Sequence, residues 1–329
     1  MSNTTRIRRG LSTAAVAAVA MGIALSLAGP ADATGPKGSV QLDNRQLIVT
    51  GTNQADEIAL RVPAADTTVL EVDFGNDGQA DETVKLADFG QLQVNSLAGD
   101  DDVRIDFGTQ VQPFTVVDTG RGDDVAAGGS GNELFRTGDG DDFVDGNRGT
   151  DTALLGDGND AFVWDPGDGS DVIEGARGGD QLLFNGSDGA EKFAATANGS
   201  RLRFTRDLGN IVMDTDDVER VVLKALGGAD STTIDDLRGT DVRKIDVDLS
   251  AQTGGGDGAT DSVTVNGTAR RDFIRVSGSS GTVDVNGLKP KVRITHAEPT
   301  DQLTVDTKAG RDIVDTRKLA PGTIGLSIL

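Results

Sequence analysis

Apolar residues in the middle of the chain recur with a period of nine. Between residues 119 and 183 each of them lies in a short cluster of strand-forming residues, and segments rich in Gly and Asp separate the clusters. Two extra residues, Trp164 and Asp165, interrupt an otherwise regular series of seven units: TGRGDDVAA, GGSGNELFR, TGDGDDFVD, GNRGTDTAL, LGDGNDAFV, PGDGSDVIE and GARGGDQLL. A fixed short period is typical of a solenoid, in which stacked units share one core.

Three positions of the nonapeptide determine the predicted structure. Glycine occupies the fourth position and an acidic residue the sixth position of all seven units. The eighth position is apolar: Ala126, Phe135, Val144, Ala153, Phe162, Ile173 and Leu182. Glycine permits the positive φ of a tight turn, and the residues around the eighth position form a short strand whose central side chain points inward. We therefore predict an all-β fold, a right-handed parallel β-roll (β-solenoid), in which two nonapeptides make one coil of 18 residues.

The flanking segments carry looser copies of this pattern. GTNQADEIAL begins at residue 51 and GTARRDFIRV at residue 267, and the short turns AGDD, GGAD and AGRD begin at residues 98, 227 and 309. We interpret residues 34–118 and 184–329 as β-rich flanks with degenerate, solenoid-like repeats on either side of the β-roll at residues 119–183. Separate β-sandwich domains are the alternative interpretation of the flanks.

Two flank segments rich in Asp and Gly are interpreted as turns. Residues 73–81, DFGNDGQAD, place Gly75 and Val84 at the third and twelfth positions, where an EF-hand calcium loop requires oxygen ligands. Because strand-like residues flank this segment, it predicts a hairpin turn around Asp77. Residues 254–261, GGGDGATD, are interpreted as a loop.

The charge balance narrows the classes of partner. The chain has 53 acidic and 31 basic residues, a formal net charge of -22, 45 glycines and no cysteine. Such an acidic surface repels nucleic acid and anionic membranes and attracts cations. Since 36% of the residues are hydrophobic and strand-forming residues are regularly spaced, we expect a folded chain. No disulfide can stabilise it, so another stabilising element is expected.

The N-terminus has the layout of a secretory signal peptide. An Arg-rich start at residues 6–9 precedes an apolar stretch at residues 14–28, and the small-residue motif ADA follows at residues 31–33. The apolar stretch is short for a transmembrane helix. We therefore predict that residues 1–33 are a signal peptide and that the mature protein is secreted and extracellular, without membrane insertion.

Two columns of acidic side chains are predicted along the edges of the roll, because residues 18 positions apart become neighbours in a stack with a spacing of about 4.8 Å. One column contains Asp124, Asp142, Asp160 and Asp180. The other contains Glu133, Asp151 and Asp171. Two carboxylates about 5 Å apart repel each other by roughly 1–3 kcal/mol. Calcium accepts carboxylate and carbonyl oxygens in flexible geometry, so we predict that several Ca²⁺ ions bind between the turns and drive folding.

The nonapeptides resemble the hemolysin-type calcium-binding repeat of the RTX family, G-G-x-G-x-D-x-U-x, in which U is a large apolar residue. TGDGDDFVD and LGDGNDAFV match this motif well. The resemblance covers residues 119–183 and implies that sixth-position carboxylates and turn carbonyls bind the ion. By this resemblance the ligands are Asp124, Asp142, Asp151, Asp160, Asp171, Asp180, Gly122, Gly140 and Gly158.

Several units depart from the motif. Glu133 replaces the sixth-position Asp, so its carboxylate reaches farther than the turn requires, and Asn147 replaces the second glycine. Ala126 and Ala153 are small for inward-pointing positions. The seventh position is apolar in four units: Val125, Leu134, Phe143 and Val172. Apolar residues there imply either a further layer over that face or a strand register shifted by one residue.

These features favour a calcium-dependent extracellular binding or structural protein that is not an enzyme. A surface-layer or adhesin-like assembly protein is the first alternative, and a polysaccharide lyase or epimerase is the second. His296, the single histidine, has no recognisable nucleophile beside it, and the sequence identifies no protein or polysaccharide partner. Solvated turns, in which each Asp caps its own backbone, are the alternative to calcium binding. They do not explain why an acid occupies the same position in seven units.

Overall fold

The computed structural model describes residues 37–329, in which the secondary structure is almost entirely β-strand. The prediction of an all-β chain is confirmed for these residues, and the predicted signal peptide, residues 1–33, lies outside them. The strands up to the end of the nonapeptides are β1 (Ser39–Asp43), β2 (Gln46–Thr50), β3 (Glu57–Arg61), β4 (Val69–Phe74), β5 (Glu82–Lys85), β6 (Gln91–Asn95), β7 (Asp102–Asp106), β8 (Thr115–Arg121), β9 (Val125–Ala127), β10 (Glu133–Asp139), β11 (Phe143–Asp145), β12 (Thr152–Gly158), β13 (Ala161–Trp164), β14 (Val172–Gly178) and β15 (Gln181–Ser187).

The remaining strands are β16 (Lys192–Asn198), β17 (Arg201–Arg206), β18 (Ile211–Asp216), β19 (Arg220–Leu226), β20 (Ser231–Ile234), β21 (Lys244–Asp248), β22 (Ser262–Asn266), β23 (Phe273–Ser279), β24 (Thr282–Asn286), β25 (Lys291–Thr295), β26 (Gln302–Asp306), β27 (Ile313–Leu319) and β28 (Gly325–Ile328). Two short 3₁₀-helices lie at Leu86–Asp88 and Leu208–Asn210. Within residues 37–329, no helix is long and apolar enough to cross a membrane.

The strands form two sheets of 14 strands each. Sheet A has the order β1-β2-β6-β8-β10-β12-β14-β18-β17-β16-β20-β22-β26-β28, and sheet B has the order β27-β23-β24-β25-β21-β19-β15-β13-β11-β9-β7-β3-β4-β5. In the nonapeptide segment successive strands alternate between the two sheets, and every strand pairs in parallel with the equivalent strand of the next coil. Apolar side chains from both sheets form one buried cluster, so the core lies between the sheets of a solenoid-like stack.

The register of the parallel pairs reproduces the predicted length of a coil. Leu134 pairs with Thr152, which follows it by 18 residues. Thr152 pairs in turn with Val172, which follows it by 20 residues, because Trp164 and Asp165 lengthen that coil. The insertion therefore changes the size of one coil without changing the alternation between the sheets.

The eighth position of every nonapeptide points into the core. The side chains that are 0% exposed there are Ala126, Phe135, Val144, Ala153, Phe162, Ile173 and Leu182. The apolar seventh-position residues lie half-buried on the opposite face, and the described strands form no third layer over them. The predicted inward position is confirmed, and the suggestion of a shifted register is wrong.

Both sheets continue from the nonapeptides into the two flanks without interruption. Antiparallel strands are inserted there, at β3–β5, β16–β18 and β23–β25. Parallel pairing resumes after each insertion, as between β16 and β20 and between β21 and β25. The flanks thus share the two sheets with the nonapeptides, but their coils are longer and irregular.

The predicted hairpin at residues 73–81 is present, since β4 and β5 pair antiparallel on either side of the turn. The fully buried carboxylate of Asp73 accepts hydrogen bonds from the N–H groups of Asp77 and Gly78, at 3.2 and 2.9 Å. Its other contact is an ion pair with Arg61 at 2.7 Å. This carboxylate therefore closes the turn and is neutralised by the protein itself.

We expect Gly140→Ala to destabilise the stack, because the turns of successive coils touch. Gly140 has a φ of +148°, and an added Cβ would overlap the carbonyl oxygen of Gly122 in the preceding coil. Backbone strain alone costs on the order of 1–3 kcal/mol, and separating the coils adds to it. Urea unfolding of the variant measures the loss. The control is Gly90→Ala, where the nearest atom would lie 3.7 Å away; an equal loss in both variants would contradict this account.

Candidate metal-binding edges

The sixth-position acids lie where the chain enters a strand, and they line two edges of the stack. The acids that precede strands of sheet B form a row that we call the B ladder: Asp101, Asp124, Asp142, Asp160 and Asp180. The acids at the start of strands of sheet A form the A ladder: Glu133, Asp151 and Asp171. The predicted residues thus lie in the two predicted columns, and the longer coil does not break the first of them.

Hydrogen bonds join successive acids of each ladder. The N–H of Asp124 donates to Oδ1 of Asp142, and the N–H of Asp142 donates to Oδ1 of Asp160, both at 2.8 Å. In the A ladder the N–H of Asp151 donates to Oδ1 of Asp171 at 2.9 Å. Each carboxylate therefore fixes the turn of the coil before it, which explains why an acid recurs at this position.

The second carboxylate oxygen of these aspartates has no hydrogen-bond partner. Oδ2 is buried and unpartnered in Asp101, Asp124, Asp142, Asp151, Asp160, Asp171 and Asp180. Since these residues are at most 2% exposed, the alternative of solvated turns does not fit the sixth position. An unpartnered oxygen of a buried carboxylate is unfavourable. A proton or a cation at Oδ2 would remove that cost.

Backbone carbonyl oxygens approach the same two edges. A Cβ added to Gly158 would lie 3.0 Å from Oδ1 of Asp160 and would overlap the carbonyl oxygen of Gly140. The carbonyl of Gly122 faces Gly140 in the same way, and the carbonyl of Gly158 faces Gly178. The three predicted carbonyl ligands therefore lie at successive turns along the B ladder. Carboxylate and carbonyl oxygens are the ligands that calcium prefers.

Burial raises the pKa of the ladder carboxyl groups. The pKa of Asp124 rises to about 7, that of Asp160 to about 8 and that of Asp151 to about 9, in each case mainly because burial disfavours the charged form. Hydrogen bonds from backbone N–H groups oppose the shift, and the neighbouring carboxylates Asp142 and Asp180 add to it at Asp160. At neutral pH Asp151 and Asp160 therefore tend to hold a proton unless a cation replaces it.

Glu133 differs from the aspartates of the A ladder. Its Oε1 accepts a hydrogen bond from Nε2 of Gln112 at 2.5 Å, and its Oε2 accepts one from the N–H of Gly129 at 3.1 Å. Gln112 in turn accepts a hydrogen bond from the N–H of Ser130 at 2.9 Å. The longer side chain thus reaches partners beyond the turn, and both of its oxygens are paired within the protein.

The fifth-position residues form an exposed row beside the B ladder. The N–H of Asp141 donates to Oδ1 of Asp123 at 2.9 Å, and the N–H of Asn159 donates to Oδ1 of Asp141 at 2.7 Å. These hydrogen bonds run in the opposite direction to those of the B ladder, because here the donor N–H belongs to the later coil. Water solvates these exposed carboxylates, so a cation is not required to neutralise them. They therefore provide matched controls for the buried B ladder.

Ladder acids also occur in the flanks, where the sequence pattern did not predict them. The N–H of Asp101 donates to Oδ1 of Asp124, and Oδ1 of Asp101 accepts from the N–H of Asp56, both at 2.8 Å. In the C-terminal flank the N–H of Asp230 donates to Oδ1 of Asp261 at 2.8 Å. The turns AGDD, GGAD and GTNQAD contain the signal, because each ends in one of these acids. Their irregular spacing concealed the relation.

Within residues 37–329, no group of three or more His, Cys, Asp or Glu side chains is arranged to hold a metal ion. A cation at a ladder would therefore depend on one or two carboxylates together with backbone carbonyls. His296 lies apart from both ladders; its Nδ1 is 2.6 Å from Oδ1 of Asp248, and its side chain is 46% exposed.

Comparisons with family models and with curated proteins found no match for this chain. The resemblance to the RTX repeat thus depends on the nonapeptides alone and stays a prediction. The observations define a class: a β-rich, solenoid-like stack whose edges carry rows of buried carboxylates.

Proposed function

We propose that this chain is a secreted calcium-binding protein of the RTX type, which folds as a right-handed β-roll around several Ca²⁺ ions. In this proposal it serves outside the cell as a structural or binding module and catalyses no reaction. The observation that carries the proposal is the row of buried, unpartnered Oδ2 atoms that recurs from coil to coil in both ladders.

Calcium supplies what these carboxylates lack. The backbone N–H groups occupy Oδ1 and leave Oδ2 available, and carbonyl oxygens of the same turns offer further ligands. An ion between two turns would neutralise Asp142 and Asp160 together, and its flexible coordination tolerates such a mixed set of ligands. Affinities on the order of 10⁻⁴ to 10⁻³ M, as in other extracellular calcium modules, suit this role.

Calcium binding and folding form one equilibrium in this proposal. Successive acids of the A and B ladders are 18 to 23 residues apart, so the unfolded chain offers only isolated carboxylates. A ligand that binds only the folded state stabilises it by about 2.7 kcal/mol per site at a hundredfold excess over Kd. Several ions can therefore replace the disulfides that a chain without cysteine cannot form.

A calcium titration tests this function. Protein without residues 1–33, freed of metal by a chelator, is expected to gain β-structure in far-UV circular dichroism as calcium is added. Magnesium should replace calcium poorly, because it demands small octahedral geometry. The double variant Asp142→Ala, Asp160→Ala should need at least about tenfold more calcium, which corresponds to 1.4 kcal/mol.

The matched control is the double variant Asp123→Ala, Asp141→Ala, which changes the exposed row beside the B ladder. This control should titrate like the parent protein. An equal shift in both double variants would attribute the effect to surface charge. A parent protein that is fully folded without calcium, and whose ladder acids bind none, would refute the proposal.

A further inference from the structure

We propose that the C-terminal flank holds a further site for a hard divalent cation, calcium by the chemistry of its oxygen donors, at the turn that ends in Asp230. The site lies outside the nonapeptides, in a segment that lacks their spacing. Only the choice of calcium as the ion rests on the proposed function.

A third row of acids follows sheet A into this flank, and we call it the flank ladder: Glu191, Asp230, Asp261 and Asp301. The N–H of Glu191 donates to Oδ1 of Asp230 and the N–H of Asp230 donates to Oδ1 of Asp261, both at 2.8 Å. The N–H of Asp261 donates to Oδ1 of Asp301 at 3.0 Å. These bonds span 39, 31 and 40 residues, yet their geometry matches that of the A ladder.

Asp230 has a buried carboxylate oxygen without a partner. The residue is 3% exposed, and its Oδ2 accepts no hydrogen bond. Two other members of the flank ladder are neutralised or capped by the protein: Arg206 forms a buried ion pair with Glu191, and the N–H of Glu298 donates to Oδ2 of Asp301 at 2.7 Å. Arg206 thus neutralises Glu191 in the way that a bound cation would neutralise Asp230.

In related turns of the fold, a backbone N–H group of the protein donates a hydrogen bond to the corresponding carboxylate oxygen. In the G-T-x-x-x-D turns, Oδ2 of Asp272 accepts a hydrogen bond from the N–H of Thr268 at 2.8 Å, and Oδ2 of Asp56 accepts one from the N–H of Thr52 at 2.5 Å. The GGAD turn supplies no such donor to Asp230. The unpartnered oxygen of Asp230 is therefore shared with the ladders of the nonapeptides and is absent from the G-T-x-x-x-D turns of the flanks.

Further oxygens lie at the turn that ends in Asp230. In the same turn, the N–H of Gly228 donates to Oδ2 of half-buried Asp257 at 2.9 Å, which brings a second carboxylate to the turn. A Cβ added to Gly228 would lie 2.9 Å from the carbonyl oxygen of Gly189, so a backbone carbonyl faces the turn as well. Burial raises the pKa of Asp230 to about 8. The charged neighbours that add to this shift are carboxylates: Asp261, Glu191 and Asp257.

The loop at residues 254–261 brings two of these carboxylates to the site. It lies between β21 and β22, as the sequence predicted, and it contains Asp257 and ends in Asp261. Because Asp257 is partly exposed, one of the two carboxylates lies at the surface, while Oδ2 of Asp230 is buried. The site therefore combines a buried anionic oxygen, a second carboxylate and a backbone carbonyl at one turn.

Counting the bound ions tests this site. Asp230→Asn keeps an oxygen for the N–H of Glu191 but removes the charge, and it should bind one calcium ion fewer per chain than the parent in equilibrium dialysis. Asp272→Asn is the matched control, because both carboxylate oxygens of Asp272 have partners, and it should keep the parent number. An unchanged number in Asp230→Asn would overturn the site.

Crystals of the calcium-loaded parent protein give a test that does not depend on a variant that folds. An anomalous difference map should show a peak about 2.3–2.6 Å from Oδ2 of Asp230. Peaks along the A and B ladders without one at Asp230 would overturn the flank site and leave the proposed function intact. A map without peaks at any ladder would contradict both.

Discussion

Replacing Asp124, Asp142 and Asp160 together by asparagine is expected to stabilise the calcium-free protein and to remove most of the stabilisation that calcium provides. Asparagine keeps an oxygen that accepts the ladder N–H, but it places no charge at the buried position of Oδ2. The amide nitrogen of asparagine is also buried there without a partner, which costs about 1–3 kcal/mol, but an unpartnered charge costs more, by on the order of 1 kcal/mol or more at each position. The three substitutions should therefore raise the free energy of unfolding at about pH 8 by about 3 kcal/mol or more. With calcium the parent protein should be more stable than the variant, because the variant lacks the carboxylate ligands.

The measurement is far-UV circular dichroism across a series of urea and trimethylamine N-oxide concentrations, with chelator and with calcium. The osmolyte favours the compact state, so even a chain that is unfolded without calcium passes through its transition. The control is the double variant Asp123→Asn, Asp141→Asn in the exposed row. It should change the free energy of unfolding by no more than about 0.5 kcal/mol, both in chelator and in calcium. A triple variant that is less stable than the parent without calcium would contradict the interpretation of Oδ2 as an oxygen that lacks a partner.

The calcium-free protein is also expected to lose stability as the pH rises from about 5 to about 9, which reverses ordinary acid denaturation. Burial raises the pKa of Asp142 to about 6, that of Asp124 to about 7 and that of Asp160 to about 8, all from an ordinary value of 3.8. The folded state therefore holds protons that the unfolded state has released. The resulting stability is fully present below the unfolded pKa and is lost as the pH rises through the folded values.

Each such group contributes up to about 1.4 kcal/mol per pH unit, and each kcal/mol shifts Tm by about 2–4 °C in a chain of this order of size. Thermal melts in chelator, with enough trimethylamine N-oxide to keep the calcium-free chain folded, should therefore show a falling Tm across this pH range. Saturating calcium should flatten the curve, because the ion replaces the protons, and half-saturation should need more calcium at low pH. A chelated protein whose Tm increases with pH would be inconsistent with buried ladder carboxyl groups.

The nonapeptide segment could be predicted because its requirements recur at short range. Each unit contains the turn glycine, the acid and the inward apolar residue within nine positions. The coil length and the burial of Phe135 and Phe162 therefore follow from the sequence. The flanks obey the same physics, but antiparallel insertions such as β16–β18 separate the coils by varying lengths. No period then relates Asp230 to Asp261, although they are joined as closely as Asp124 and Asp142.

The chemistry of the ladders was only partly predictable. The sequence predicted neighbouring carboxylates that repel each other, whereas the structure uses one oxygen of each aspartate to bind the backbone of the preceding coil. What remains is one buried oxygen per aspartate, which no residue type or spacing indicates. The pairing of Glu133 with Gln112 was unpredictable for a related reason, since Gln112 precedes the nonapeptides and belongs to no repeat.

The direction of the ladder bonds has a consequence for the order in which the chain assembles. In the buried ladders the donor N–H comes earlier in the chain than the acceptor carboxylate, by 18 or 20 residues in the nonapeptides and by 31 to 40 residues in the flank ladder. Short loops close at lower entropic cost, and contacts between residues close in sequence form sooner. A chain that emerges N-terminus first can thus complete each coil as the next one arrives, and its folding time need not grow with the number of coils.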